Sequence, residues 1–139
     1  MRTLLSAVRR GAECKEISGV EVQVRHAFDA GVDDVLRADG VILGTTENLA
    51  YMSGAMKDFF DRTYYGVIGR KEGMPCAAFI RAGSDGTGAA RGIEPIVTGL
   101  RWRATQPPLI LKGSFQSSFK DDCETLGTRM AAGLEAGIF

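Results

Sequence analysis

Two short stretches carry most of the side chains in this sequence that could do chemistry. The first runs Thr45-Thr46-Glu47-Asn48-Leu49-Ala50-Tyr51-Met52-Ser53, grouping hydroxyls, a carboxylate, an amide and a phenol. The second, Gly83-Ser84-Asp85-Gly86-Thr87-Gly88, interleaves glycines with polar residues, which permits close approach of backbone to a ligand. Each follows an apolar run, Val41-Ile42-Leu43 and Cys76 to Ala82, of the kind that forms a strand buried on both faces. In open α/β sheets the crevice beyond the carboxyl ends of such strands is where ligands sit. Each stretch has a plainer reading: the first as an ordinary strand-to-helix turn, the second as a turn with Asp85 or Thr87 as helix cap. Glu47 is the one carboxylate placed to face a ligand, and a solvated loop glutamate reads equally well. No residue stands out as catalytic acid, base or nucleophile. Cys14, Cys76 and Cys123 are far apart without C-x-x-C spacing and His26 is alone, so no metal site is expected and the thiols are read as reduced and cytoplasmic.

The elements that must position these stretches follow from periodicity. Thr3 to Glu13 is amphipathic with Leu4, Leu5, Val8 and Ala12 on one face. Val20 to Val24 alternates strictly and is expected to be a strand near a sheet edge. A short helix over Val32 to Asp39 follows, with Asp33 and Asp34 in its first turn. After the strand at Val41–Leu43 and the loop Thr46 to Ser53, Met52, Met56, Phe59 and Phe60 recur at helical spacing, with Ser53 as N-cap. The glycine-rich stretch from Tyr64 to Pro75 reads as a surface loop. Cys76 to Ala82 gives the next strand and Thr87 to Leu100 a helix that Pro95 should kink or delay. Trp102 to Leu111, split by Pro107-Pro108, makes the last and outermost strand. Phe119, Cys123, Leu126, Met130 and Leu134 mark a C-terminal helix. This alternation implies one domain over residues 1–139, a parallel sheet of four strands with helices on both faces.

Composition narrows the function classes. Seventeen basic residues balance seventeen acidic ones, so there is no charge excess for a nucleic-acid groove or an anionic membrane surface. No apolar run approaches the roughly 20 residues of a membrane span, and the N-terminus lacks the pattern of a signal peptide.

The segment Gly44 to Thr63, GTTENLAYMSGAMKDFFDRT, resembles the G-T-P-x-x-x-G-x-M-S-G-x-x-K-x-F-x-D segment of flavodoxin-like NAD(P)H-dependent FMN oxidoreductases, the quinone-reductase relatives of the tryptophan-repressor-binding-protein type. Phe79 to Gly92 is similar to their second flavin loop, and Pro107 to Ile110 fits as well. The resemblance implies a flavodoxin-like three-layer sandwich. It implies FMN as cofactor, with Thr45, Thr46, Glu47, Asn48, Leu49, Tyr51, Met52, Gly83, Ser84, Asp85, Gly86, Thr87 and Gly88 around it. NAD(P)H would be the co-substrate, a quinone or similar small molecule the electron acceptor, and a homo-oligomer the assembly. Backbone donors near the ring's pyrimidine edge would stabilise the charge that builds up on two-electron reduction. The neutral charge disfavours an electron-carrier flavodoxin, which is typically acidic.

Relative to that family the chain is shortened. Arg2-Thr3-Leu4-Leu5 already matches the first helix, so the central first strand and its phosphate loop are absent. Burying such a strand is comparable to a domain's whole net stability. A start upstream of Met1, direct closure of Val20–Val24 onto Val41–Leu43, or a second chain would each resolve this. Thr46 stands where the family has proline and Ala50 where it has glycine. A flavin-free remnant serving association is therefore the alternative function.

Overall fold

The computed structural model describes all residues 1–139 and consists of five helices and five strands. In chain order these are α1 (Arg2–Ala12), α2 (Val32–Arg37), β1 (Val41–Asn48), β2 (Tyr51–Met52), α3 (Gly54–Val67), β3 (Pro75–Ala82), α4 (Thr87–Leu100), β4 (Arg103–Ala104), β5 (Leu109–Lys112) and α5 (Ser118–Glu135). β3 is the axis of the sheet. On one edge it pairs in parallel with β1, Val41–Thr46 against Cys76–Arg81. On the other it pairs in parallel with β4 and then β5. The prolines split the last strand: Pro107 cannot donate to a ladder, so β4 ends and β5 resumes beyond Pro108.

Strand alternation sorts the side chains into two cores. Leu43, Cys76 and Ala78 point to the layer of α2, α3 and α4, where Met56, Phe59, Phe60, Ile93, Leu100 and Trp102 meet them. Ala77, Phe79 and Leu111 point the other way, against Leu4, Ala7 and Val8 of α1 and Phe119, Cys123, Leu126 and Met130 of α5. This is the flavodoxin-like three-layer α/β arrangement. α1 and α5 approach closely because Gly11 and Gly127 face each other's backbones: a Cβ on Gly127 would collide with the Val8 carbonyl, and one on Gly11 with that of Glu124.

Three expectations need correction. Val20–Val24 is extended, with Val20, Val22 and Val24 half-buried and Glu21, Gln23 and Arg25 exposed, yet it joins no ladder. Alternation supplied the shape, but no neighbouring strand supplies hydrogen-bond partners. The sheet therefore has five strand segments: the last expected strand is two pieces, and an antiparallel β2 was not foreseen. Finally, β1 runs on to Asn48, five residues past Leu43, and α3 extends through Val67 into what reads as loop. Pro95 lies inside α4 without ending it. No helix is long and apolar enough to cross a membrane.

The thiol of Cys76, deep under α3 and α4, is pushed up to about 12 by burial. Below the unfolded value of 9.0 both states keep the proton, so this thiol adds no pH dependence. Between that value and about 12 the unfolded thiol ionises while the folded one stays protonated, so stability falls as pH rises. Urea unfolding should weaken above pH 9 with a slope approaching 1.4 kcal/mol per pH unit at most (about one proton), and Cys76→Ala should remove that component.

Candidate functional site

The two chemically rich stretches meet at the carboxyl end of the sheet. β1 turns back on itself through Leu49-Ala50, giving the pairs Glu47–Met52 and Asn48–Tyr51. Both turn residues have positive φ, 51° and 62°, as in a type I′ turn, where Asn-Gly is preferred. For non-glycine residues this backbone costs roughly 1–2 kcal/mol each. The turn is a tight hairpin tip, and Leu49 at its apex is 101% exposed.

The hairpin is clamped to the second loop by Glu47. One carboxylate oxygen accepts from the Gly86 N–H at 2.9 Å and the other from the Ala89 N–H at 3.1 Å. These are free donors at the start of α4, where the helix dipole favours negative charge. Gly86, at φ 88°, packs against Ile110, and Gly88 leaves room for the Ala50 carbonyl. The Tyr51 ring lies over Gly92, where any side chain would clash. Three glycines of one segment thus accept the hairpin and β5 at close range.

Of the residues singled out from sequence, Thr45, Met52 and Glu47 are occupied within the protein. Thr45 is 2% exposed; its hydroxyl accepts from the Ser53 N–H and donates to the Thr46 carbonyl. Ser53 in turn caps α3 by accepting from the Met56 N–H. Met52 is core, 2% exposed beside Met56. Thr46 is a half-buried ladder residue opposite Arg81. Thr87 donates its hydroxyl to the Asp85 carboxylate, and this bond holds the Asp85 carboxyl below its ordinary value. What faces outward is Asn48, Leu49 and Tyr51 on the hairpin, and Gly83, Ser84 and Asp85 on the second loop. The N–H groups of Leu49, Ala50, Gly83, Ser84 and Asp85 have no acceptor within the chain. The loops therefore offer free backbone donors on two neighbouring rims. Two surface depressions elsewhere, one along α5 at Asp121 to Arg129 and one at Arg70 to Met74, share no residue with these loops.

Arg81, at the end of β3, is tied into the fold: its guanidinium donates to the carbonyls of Ala82, Leu111 and Gly113 and sits 5.3 Å from the centre of the Phe119 ring. It fixes the exit of β5 at the same end of the sheet. Nothing local to Arg81 signals this, because Leu111 and Gly113 come from a distant part of the chain.

Known proteins share this fold. A flavodoxin of Aquifex aeolicus is 32% identical over 97 residues, 70% of this chain, and the chain spans about half (51%) of that protein's length. Among solved structures, an archaeal flavodoxin superposes with a TM-score of 0.77 at 22% identity, covering 96% of this chain and 89% of its own. A WrbA-like flavodoxin from Agrobacterium tumefaciens (TM-score 0.71, 16% identity, 94% and 87% covered) and the apo form of an NADH:FMN oxidoreductase (0.71, 15%, 94% and 80%) have the same fold. No protein-family model matches the chain.

Two substitutions test the clamp and the turn. Glu47→Ala leaves the buried Gly86 N–H without its acceptor and should cost about 1–3 kcal/mol in urea unfolding. Ala50→Gly relieves a positive φ and should raise stability by about 0.5–1 kcal/mol. Equal stability of both variants to the parent chain would refute this account of the hairpin.

Proposed function

We propose that the chain is an FMN-dependent oxidoreductase that takes hydride from NAD(P)H and passes it to a quinone or similar two-electron acceptor. The observation that carries this reading is the convergence of two loops at adjacent strand ends, held together by Glu47 and bearing unpartnered N–H donors. A flat heteroaromatic ring with acceptors along one edge fits such a rim. When bound, FMN supplies the hydride-accepting centre. The protein's part is orientation and electrostatics. The N–H groups of Leu49, Ala50 and the Gly83–Asp85 turn would donate to the ring's pyrimidine edge and offset negative charge gained on reduction. Leu49 and Tyr51 would cover ring surface, keeping water from part of it.

A second reading, a flavin-free association module, draws on a different observation: over Val41–Thr46, β1 is paired with β3 alone, and β2 pairs only with its last two residues.

Flavin fluorescence during titration with the purified chain decides between them. Quenching with a dissociation constant of about 1 µM or tighter, some 8 kcal/mol, together with NAD(P)H-driven quinone reduction, is expected. Leu49→Asp puts a charge where the ring would lie and should weaken binding about tenfold or more. Unquenched flavin at saturating protein would favour the association module.

A further inference from the structure

The chain as a whole is neutral, but its cations are not interchangeable. Several sit where a helix end rewards them. Arg9 and Arg10, in the last turn of α1, reach Glu13 and Glu124. Arg37, in the last turn of α2, reaches Asp34, and Arg101, just past α4, reaches Glu72. Arg91 and Lys112 do not fit that pattern. Both are exposed, and neither has a carboxylate within ion-pair distance. Both lie toward the end of the sheet where α3 and α4 begin, so the helix dipoles offer them nothing. The fold gives no reason for their placement.

What the two share is the second loop. Lys112 is in register with Ala82, two residues before Ser84, and the Gly113 N–H donates to the Ala82 carbonyl at 3.1 Å. Side chains alternate along β5, so Lys112 shares its face with Ile110, which packs against Gly86 at the start of α4. Arg91 stands one helical turn beyond Thr87 on α4. Asp85 lies within reach of both. The Thr87 hydroxyl and N–H hold its carboxyl below the ordinary value, and the charges of Arg91 and Lys112 add to that effect. The other carboxylate of the rim, Glu47, is committed to the N–H groups of Gly86 and Ala89. Two cations against one hydrogen-bonded carboxylate leave this loop positive.

The geometry points to a phosphate subsite: Arg91 and Lys112, beside the second loop on α4 and β5, together hold the phosphate monoester of a ligand seated between the loops. This subsite presupposes the flavin site proposed for those loops. A phosphate monoester carries about −1.5 to −2 charges at neutral pH, which matches two cations; a carboxylate or a phosphodiester would match only one. The arginine fork takes two phosphate oxygens, and the lysine ammonium meets the group as a point charge. Two ligands of the proposed reaction carry such a group, FMN on its ribityl chain and NADPH on its ribose 2′ position. Riboflavin and NADH are their counterparts without it.

Titration calorimetry on the full chain compares the members of each pair. FMN is set against riboflavin, and NADP⁺ against NAD⁺, the oxidised nucleotides binding without transferring hydride. Within one pair the phosphate-bearing member should bind about tenfold tighter or more, less so as salt is raised. Preference for FMN assigns the subsite to the flavin tail, and preference for NADP⁺ assigns it to the 2′-phosphate. Arg91→Ala and Lys112→Ala should each weaken that member about fivefold or more and leave its counterpart unchanged. Circular dichroism should not change, since neither side chain has an ion pair to lose. Lys112→Arg keeps the charge and should keep the preference. Flavin binding without discrimination in either pair, or a preference that survives the double alanine variant, would overturn the subsite and leave the flavin site standing. Failure of all four ligands to bind would overturn both.

Discussion

β3 is paired with β1 along one edge and with β4 and β5 along the other, and the rest of the structure hangs on it. Its residues alternate between two cores, Cys76 and Ala78 on one face, Ala77 and Phe79 on the other, so that each helix layer has a floor. The small side chains at positions 76 to 78 let both layers lie close, and Phe79 fills the space that Gly44 leaves beside it on β1. Its carboxyl end delivers the second loop, while the parallel register with β1 delivers the first at the same height. Proximity of the loops is therefore a consequence of the ladder, not of the loops themselves.

The ladder alone would leave two flexible rims. What locks them is a single carboxylate spread over two N–H groups at the start of α4. Glu47 thus answers the question its sequence position raised. Its carboxylate accepts from two N–H groups at the start of α4, so it neutralises the end of that helix and ties the hairpin to the second loop. The hairpin accepts strained φ at Leu49 and Ala50 under that clamp, with Gly88 and Gly92 making room. Strain tolerated at a rigidly held turn is what a binding rim needs, because pre-ordering reduces the entropy lost on association.

Much of this was legible in the residues. Uniform apolar runs marked β1 and β3, helical spacing marked α3 and α5, and Pro107-Pro108 marked the interruption of the last strand. The hairpin was not legible, since Leu49-Ala50 carries none of the glycine or asparagine that announces such a turn. Met52 at helical spacing with Met56 pointed to one element when the two residues sit on different ones that share a core. The roles of Glu47 and Arg81 depend on partners 39 to 42 and 30 to 32 residues away, a distance over which periodicity carries no information. The alternation of Val20–Val24 gave the correct local conformation and the wrong consequence, because a strand is defined by its neighbour.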